Sequence, residues 1–225
     1  MIWQDIGYLL YKNKYNENSS IVDFFTKKRG KVTGIIYGST SRKIKSYLMI
    51  GNKFFINFNT KNENKMGYFN VELDVLNTPL YFEDQKKLSC INYSLTLIRT
   101  LTVENQENLN LFNLVADLFR LLKHDTWINN FILWELEVFN KLGYNLNFND
   151  YVVKKNTNGK TYYHLKDNEN KIIPKFLIDS KLDNIILEET ILAINLVGDF
   201  LDKSILKPNN LNQIIARTNF VNNIK

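Results

Sequence analysis

The spacing of apolar side chains changes once along this 225-residue chain, near Glu83. Before that point, apolar residues occur in short alternating or β-branched runs separated by polar turns, a pattern typical of β-strands. After it, they recur at every third or fourth position, which is typical of amphipathic helices. The sequence therefore predicts a strand-rich domain over residues 1–80 and a helical domain over residues 81–225.

Five strands are predicted in the first domain from β-branched and aromatic runs. They cover residues 3–12, 20–27, 32–37, 53–59 and 66–73. Five short strands in so short a segment suit a small closed barrel, because closure removes exposed strand edges. An oligonucleotide-binding (OB) barrel and an SH3-like barrel fit this strand count almost equally well.

Helices are predicted in the second domain, with one polar interruption. They cover residues 86–100, 109–123, 127–142, 184–205 and 209–223, the third being capped by Asp125 or Thr126 and ended by Gly143. Residues 147–173 form polar turns around Asn158-Gly159 and predict a hairpin. The expected fold class is α+β and multidomain, with an N-terminal barrel followed by an all-α domain that carries a small hairpin insertion.

Positive charge is concentrated at the start of the chain. Residues 1–62 hold eleven Lys or Arg and three acidic residues, a net charge of +8, whereas the whole chain carries +6. Residues 24–45 contain seven basic residues and no acidic ones. This excess of positive charge predicts a surface that binds a polyanion. Charges that only keep a strand edge soluble are the alternative. The basic residues are Lys27, Lys28, Arg29, Lys31, Arg42, Lys43 and Lys45.

Several short motifs occur in a fixed order around these charges. They are Trp3-Gln4-Asp5-x-Gly7, Glu17-Asn18-Ser19-Ser20-Ile21-Val22, Phe25-Thr26, Arg29-Gly30-Lys31, the segment 38–42, Trp134-Glu135-Leu136 and Leu142-Gly143-Tyr144. This order resembles the RecO family of recombination mediators, over residues 3–72 and again over residues 131–147. Tyr37 and Thr40 depart from the resemblance, because basic residues are expected there in the family.

The resemblance implies an N-terminal OB domain and a protein that binds single- and double-stranded DNA. It also implies annealing of strands without ATP, loading of recombinase through the partner RecR, and docking on single-strand-binding protein. The DNA-binding candidates are then Lys27, Lys28, Arg29, Lys31, Tyr37, Arg42, Lys43, Lys45 and Lys53, with Tyr37 as a stacking surface for bases. A module that binds RNA or ribosomes is the first alternative, because an OB barrel with a basic surface suits it equally.

A docking site for single-strand-binding protein would have to accept an acidic tail with an apolar tip, as the resemblance implies. Many relatives offer arginine before the Phe-Glu-Leu turn of the third helix, whereas Ile132 and Leu133 precede that turn here. The cations could instead come from the end of the preceding helix, beside apolar residues of the third. The alternative is that these cations only favour the helix dipole. The candidates are Arg120, Lys123, Trp127 and Phe131.

Catalytic and metal-binding patterns are weak in this sequence. His124 and His164 lie forty residues apart, and neither has a Cys or His at ligand spacing. Some members of the resembling family carry a four-cysteine zinc module, but Tyr151 stands at the place of its first cysteine and residues 147–173 contain none. No phosphate-binding glycine motif occurs. We expect no catalytic residues, no cofactor and no metal, and an enzyme with an unrecognised site is the second alternative.

Cys90 is the only cysteine, so an intrachain disulfide is impossible and a reducing compartment is expected. The longest uncharged run, residues 88–98, is too short to cross a membrane. The first ten residues lack the basic start of a signal peptide and contain Asp5. We therefore expect a cytoplasmic protein that is not associated with a membrane, and the resemblance to the RecO family implies a bacterial protein associated with the nucleoid.

Overall fold

A computed structural model describes residues 1–61, 66–144, 146–157, 160–166 and 168–224. The predicted turn at Asn158-Gly159 lies outside these residues. Contacts group the chain into two compact units, one of Met1–Phe119 with Ile214–Ile224 and the other of Arg120–Gln213. The first unit holds the predicted barrel, and the second holds the predicted hairpin.

The first unit contains a closed five-stranded barrel. Its strands are β1 (Ile2–Asn16), β2 (Ser19–Thr26), β3 (Gly30–Tyr37), β4 (Lys53–Asn59) and β5 (Tyr68–Val75). They are hydrogen-bonded in the order β1-β2-β3-β5-β4, with β3 and β5 parallel and the other paired strands antiparallel. This arrangement is OB-like and confirms the predicted barrel.

Alternating side chains of the strands fill the barrel. Phe54 and Ile56 of β4 point inward and are 0% and 1% exposed, whereas Phe55 between them is 51% exposed. The short helix α1 (Arg42–Tyr47) follows β3, and Leu48 after it is fully buried in the barrel core. The other buried core residues are Leu9, Val22, Phe24, Val32, Ile36, Phe58 and Phe69.

Further helices follow the barrel, as the change of apolar spacing predicts. In chain order they are α2 (Gln85–Leu101), α3 (Leu109–Leu121), α4 (Trp127–Lys141), α5 (Phe176–Asp179), α6 (Leu187–Phe200) and α7 (Ile215–Ile224). Short 3-10 turns lie at Thr78–Tyr81 and Phe148–Tyr151, and α6 continues into a π-helical turn at Leu201–Leu206. None of the described helices is both long and apolar enough to cross a membrane.

Helices α2, α3 and α7 belong to the same unit as the barrel. Tyr8 of β1 points away from the barrel core, and its ring lies 5.2 Å from that of Phe112 and 6.0 Å from that of Phe119 on α3. Helix α7 packs on α2, where the rings of Tyr93 and Phe220 stack at 5.9 Å.

The predicted boundary at residue 80 marks the change from strands to helices. The compact units divide later, after Phe119, because helices cover apolar side chains on the outer face of the barrel.

The second unit contains α4, α5, α6 and a small sheet. The sheet is antiparallel, in the order β6 (Val152–Thr157), β7 (Lys160–Leu165) and β8 (Asn168–Ile173). The predicted hairpin over residues 147–173 is thus extended by a third strand. Gly143 ends the helical turn after α4 with a φ of +89°, as predicted for a helix C-terminus.

Candidate nucleic-acid interface

The turn between β2 and β3 is held by hydrogen bonds to its backbone. Gly30 has a φ of +65°, which glycine adopts without steric cost. The Arg29 N–H donates to Thr26 Oγ1 (3.2 Å), and the Lys28 N–H donates to Asp5 Oδ2 (2.8 Å). Basic side chains therefore extend into solvent from a fixed backbone. These side chains, which we call the turn group, are Lys27, Lys28 and Arg29.

A second exposed basic set lies on α1. Ser41 accepts a hydrogen bond from the Ile44 N–H and caps this helix. The preceding loop is fixed to the β1–β2 turn, because the Gly38 N–H donates to the Asn18 carbonyl (2.7 Å) and Thr40 Oγ1 donates to Asn18 Oδ1 (2.9 Å). The exposed side chains of this set, which we call the α1 group, are Arg42, Lys43 and Lys45.

Lys12 on β1 joins the α1 group, although the sequence did not single it out as a binding residue. Its ammonium donates to the carbonyl of Leu48 at the end of α1 (2.8 Å). Partial burial lowers the pKa of Lys12, and the neighbouring positive charge of Lys45 lowers it further. The only signal for Lys12 in the sequence was the excess of basic residues over residues 1–62. Lys12 and Lys45 lie far apart in sequence, and only the fold brings them together.

The turn group and the α1 group lie at opposite ends of β3. This strand has eight residues, so the two groups are separated by roughly 25 Å at about 3.3 Å per residue. The sequence predicts that the basic residues within 24–45 bind a polyanion. In the structure the exposed ones form two basic surfaces on one barrel, one at each end of β3.

Lys31 and Lys53 are predicted to bind DNA, but in the structure both lysines have partners within the fold. Lys31 donates to the Arg99 carbonyl (2.9 Å), and burial lowers its pKa despite the nearby carboxylates of Glu104 and Asp23. The Lys53 ammonium lies 2.8 Å from the Asp74 carboxylate, and both side chains are 21% exposed. Both lysines thus make contacts within the fold and contribute less to the exposed charge.

The outer face of β2 and β3 is covered by the chain itself. OB domains commonly bind ligands on this face and on adjacent loops. Here the Arg99 guanidinium at the end of α2 pairs with Asp23 of β2, and Thr33 of β3 donates to Glu104 (2.8 Å). The accessible basic side chains therefore lie at the ends of the strands. Tyr37 is 59% exposed next to the loop before α1, with its ring 5.9 Å from that of Tyr68.

The candidate docking residues of the helical region fall into two classes. Arg120 and Lys123 are exposed, as the prediction requires. Trp127 and Phe131 are only 7% and 0% exposed, because they belong to the apolar face of α4 that packs into the core. Little of either ring is therefore accessible to a docking partner, and the docking site itself stays a prediction.

The described residues contain no cluster of three or more His, Cys, Asp or Glu side chains that could hold a metal ion. Cys90 is fully buried on α2, and its sulfur lies 3.9 Å from Ser94 Oγ. The expectations that the protein needs neither metal nor cofactor, and that it is not an enzyme, remain predictions.

Comparison with known proteins identifies the same family over both parts of the chain. The family model for the recombination protein O N terminal matches residues 1–74, and that for the C terminal matches residues 83–184. The DNA repair protein RecO of Rickettsia bellii is 27% identical over 89% of this chain and 88% of its own length. For RecO of Rickettsia felis the identity is 26%, over 92% of each chain. For RecO of Rhodospirillum centenum it is 20%, over 98% of this chain and 94% of that protein. With both models matched in order along most of its length, the chain belongs to the RecO family of DNA repair and recombination proteins.

Proposed function

We propose that this protein is a DNA-binding recombination mediator that anneals single strands without ATP and helps load recombinase together with RecR. It acts on single- and double-stranded DNA at the bacterial nucleoid, and it has no catalytic site of its own. The observation that carries the proposal is the pair of exposed basic surfaces, the turn group and the α1 group, on a barrel of OB type. Membership of the RecO family supports the same assignment.

Charge neutralisation explains how two such surfaces would promote annealing. Lys and Arg contacts to phosphates release condensed counterions and lower the repulsion between two anionic strands. The two groups lie roughly 25 Å apart along β3, at about 3.3 Å per residue, which exceeds the screening length of about 8 Å at physiological salt. Each group therefore acts on a different stretch of phosphates, and strands bound to the same barrel are brought close enough to meet. Phosphate contacts of this kind position a strand without reading its sequence.

Charge reversal at each basic group tests the proposal. Lys27→Glu with Lys28→Glu, and separately Arg42→Glu with Lys43→Glu, should each weaken binding of labelled single-stranded DNA at least tenfold. The dependence of log affinity on log salt should flatten by about 0.7 per lost phosphate contact. Fluorescence anisotropy at several salt concentrations measures both quantities, and melting curves check that the variants fold.

Lys86→Glu with Lys207→Glu is the matched control, because it makes the same charge change at exposed positions outside both groups. Equal affinity of the wild type and both test variants would refute the proposed surfaces. Annealing is then measured without nucleotide, once with complementary DNA strands and once with complementary RNA strands. A DNA mediator should anneal the DNA strands, whereas an RNA-binding module should act on the RNA strands. Co-elution with RecR tests the loading partner.

Docking of single-strand-binding protein is proposed at Arg120 and Lys123, whose exposed cations suit an acidic tail. A labelled peptide with that tail should bind the full chain. Arg120→Glu with Lys123→Glu should weaken this binding at least tenfold, whereas Lys175→Glu with Lys181→Glu should leave it unchanged. Equal peptide binding by both variants would place the site elsewhere.

A further inference from the structure

A cleft of about 600 Å³ opens in the first unit, beside the turn group. Its volume lies within the range of about 300–1,000 Å³ that is usual for small-molecule sites. The lining combines two aromatic rings, an arginine, a glutamate, two methionines and several polar side chains. Among the lining residues are Trp3, Arg29, Thr33, Phe58, Glu104 and Asn105.

Trp3 forms a flat and well-supported wall of this cleft. Its ring stacks on that of Phe58, with centroids 4.8 Å apart and planes inclined by 21°. The ring of Phe69 contacts it edge-on at 6.4 Å. Trp3 is itself half-buried, so part of the indole remains accessible from the cleft. Its orientation is therefore set by the barrel core and requires no rearrangement on binding.

The side chain of Arg29 lies over the Trp3 ring and can move away from it. The guanidinium carbon of Arg29 lies 5.0 Å from the indole centroid, in a cation–π contact. Arg29 is exposed and extends from a turn whose backbone is fixed by Thr26 and Gly30. The guanidinium can therefore leave the ring without disturbing the fold, and a phosphate offers it a stronger, charge-assisted hydrogen bond.

We propose that this cleft binds one unpaired nucleobase, stacked on Trp3, while the turn group holds the flanking phosphates. The inference rests on the proposed function and names the part of a DNA strand that this end of the barrel recognises. Stacking of a base on an aromatic ring is tolerant of sequence, because every base has a π-face. A base in a duplex is already stacked and paired, so the cleft distinguishes single strands from duplex DNA.

The wall of the cleft that carries Glu104 suits a base better than a phosphate. Glu104 lines the wall and accepts a hydrogen bond from Thr33 Oγ1 (2.8 Å). A carboxylate repels a phosphate group but accepts hydrogen bonds from the N–H groups of a base. Asn105 adds an amide to the same wall. The positive side chains Lys27 and Lys28 lie on the bordering turn, where the flanking phosphates would pass.

Tryptophan fluorescence tests this proposal on the wild-type protein. The chain contains three tryptophans, and Trp127 and Trp134 are only 7% and 5% exposed, so quenching by a bound base reports mainly on Trp3. Oligothymidylate should quench the emission. An oligonucleotide with the same number of phosphates and no bases should not quench it, and should bind about tenfold more weakly.

A substitution at Trp3 provides the second test. Trp3→Leu keeps an apolar contact with Phe58 and removes the stacking surface, so the preference for oligothymidylate over the abasic strand should fall below twofold. Affinity for duplex DNA should not change. Phe55→Leu is the control, because this exposed ring lies outside the cleft and should leave the preference intact.

The outcomes separate the two proposals. Binding of both oligonucleotides with equal affinity and no quenching would refute the base site and leave the DNA-binding function standing. Binding of neither, by anisotropy, would refute both. If Trp3→Leu does not fold, the wild-type comparison of thymidylate and abasic strands decides by itself.

Discussion

Asp5 shows how one residue of the N-terminal motif serves the candidate interface. Its carboxylate accepts backbone hydrogen bonds from Ile6 and from Lys28, each at 2.8 Å. Trp3 lies two residues earlier in the motif, and its ring makes a cation–π contact with Arg29, which belongs to the same turn as Lys28. The motif at residues 3–7 therefore has a structural cause, because it positions the turn group from the neighbouring strand.

Gly30 has both a left-handed backbone conformation and no room for a side chain. An added Cβ would overlap the carbonyl of Gln106, and a φ of +65° is strained for other residues. We expect Gly30→Ala to lower the free energy of unfolding by roughly 3 kcal/mol. Gly38→Ala is the matched control, because Gly38 also has a positive φ but open space around it, and should cost only about 1 kcal/mol. Urea unfolding measures both, and equal losses would contradict the role of Gln106.

The pKa of Lys12 should report on the α1 group. Partial burial and then the charge of Lys45 hold it below its ordinary value of 10.5. The unfolded chain thus binds more protons in the window just below 10.5, so this group makes the protein more stable as pH rises through that window. Lys45→Gln should raise the pKa of Lys12, as measured by NMR titration of its side chain. An unchanged pKa would show that the two lysines do not interact.

The C-terminal end of α2 is the element that covers the outer face of the barrel. The Arg99 guanidinium pairs with Asp23, and its carbon lies 3.7 Å from the centroid of the Tyr11 ring. Lys31 donates to the Arg99 carbonyl, and its own carbonyl accepts from the Asn105 N–H (2.8 Å). Helix α2 thus occupies a face that other OB domains present to ligand, which leaves the strand ends accessible.

Removal of the Arg99 charge should destabilise this arrangement. The Asp23 side chain is 7% exposed and Arg99 is 39% exposed, so Arg99→Leu leaves a buried carboxylate without its cation at a cost of roughly 2 to 3 kcal/mol. Asp23→Asn added to that variant should recover at least half of the loss, because the unpaired charge is gone. Urea unfolding of the single and double variants checks this, and no recovery would contradict the pairing.

The sheet of β6, β7 and β8 should be stable without metal. It occupies the place where some RecO proteins are expected to carry a zinc module, and residues 147–173 contain no cysteine. We expect elemental analysis to find far less than one zinc per chain, and EDTA to leave the melting temperature unchanged. Stoichiometric zinc would overturn this expectation.

At the scale of the molecule, residues far apart in sequence complete one unit. Helix α7 lies more than a hundred residues after the barrel, yet Phe220 is 1% exposed and packs on Tyr93 of α2. Phe220→Ala should lower the stability of the first unit by about 3 kcal/mol, through lost burial and a cavity. Ile215→Ala, at a side chain that is 75% exposed, should change stability by less than about 0.5 kcal/mol. Hydrogen exchange of α2 amides locates the effect, and faster exchange confined to residues 120–213 would contradict it.

Local sequence patterns were sufficient to predict most elements of this protein. The alternation of Phe54, Phe55 and Ile56 predicted β4, and the turn at Gly30 was visible as a glycine between two β-branched runs. Patterns of this kind depend on neighbours within a few residues, so they can be read directly. The order of short motifs along the chain likewise indicated the RecO family.

Which charges are available for binding depends instead on tertiary contacts. Strand pairing brings Lys12 to α1, β3 separates the turn group from the α1 group, and Lys31 and Lys53 turn to partners at residues 99 and 74. Packing also places Trp127 and Phe131 in a core instead of at a surface. Each of these outcomes depends on contacts between residues distant in sequence. Such contacts are set by the packing of whole elements, which neither charge counts nor local spacing contain.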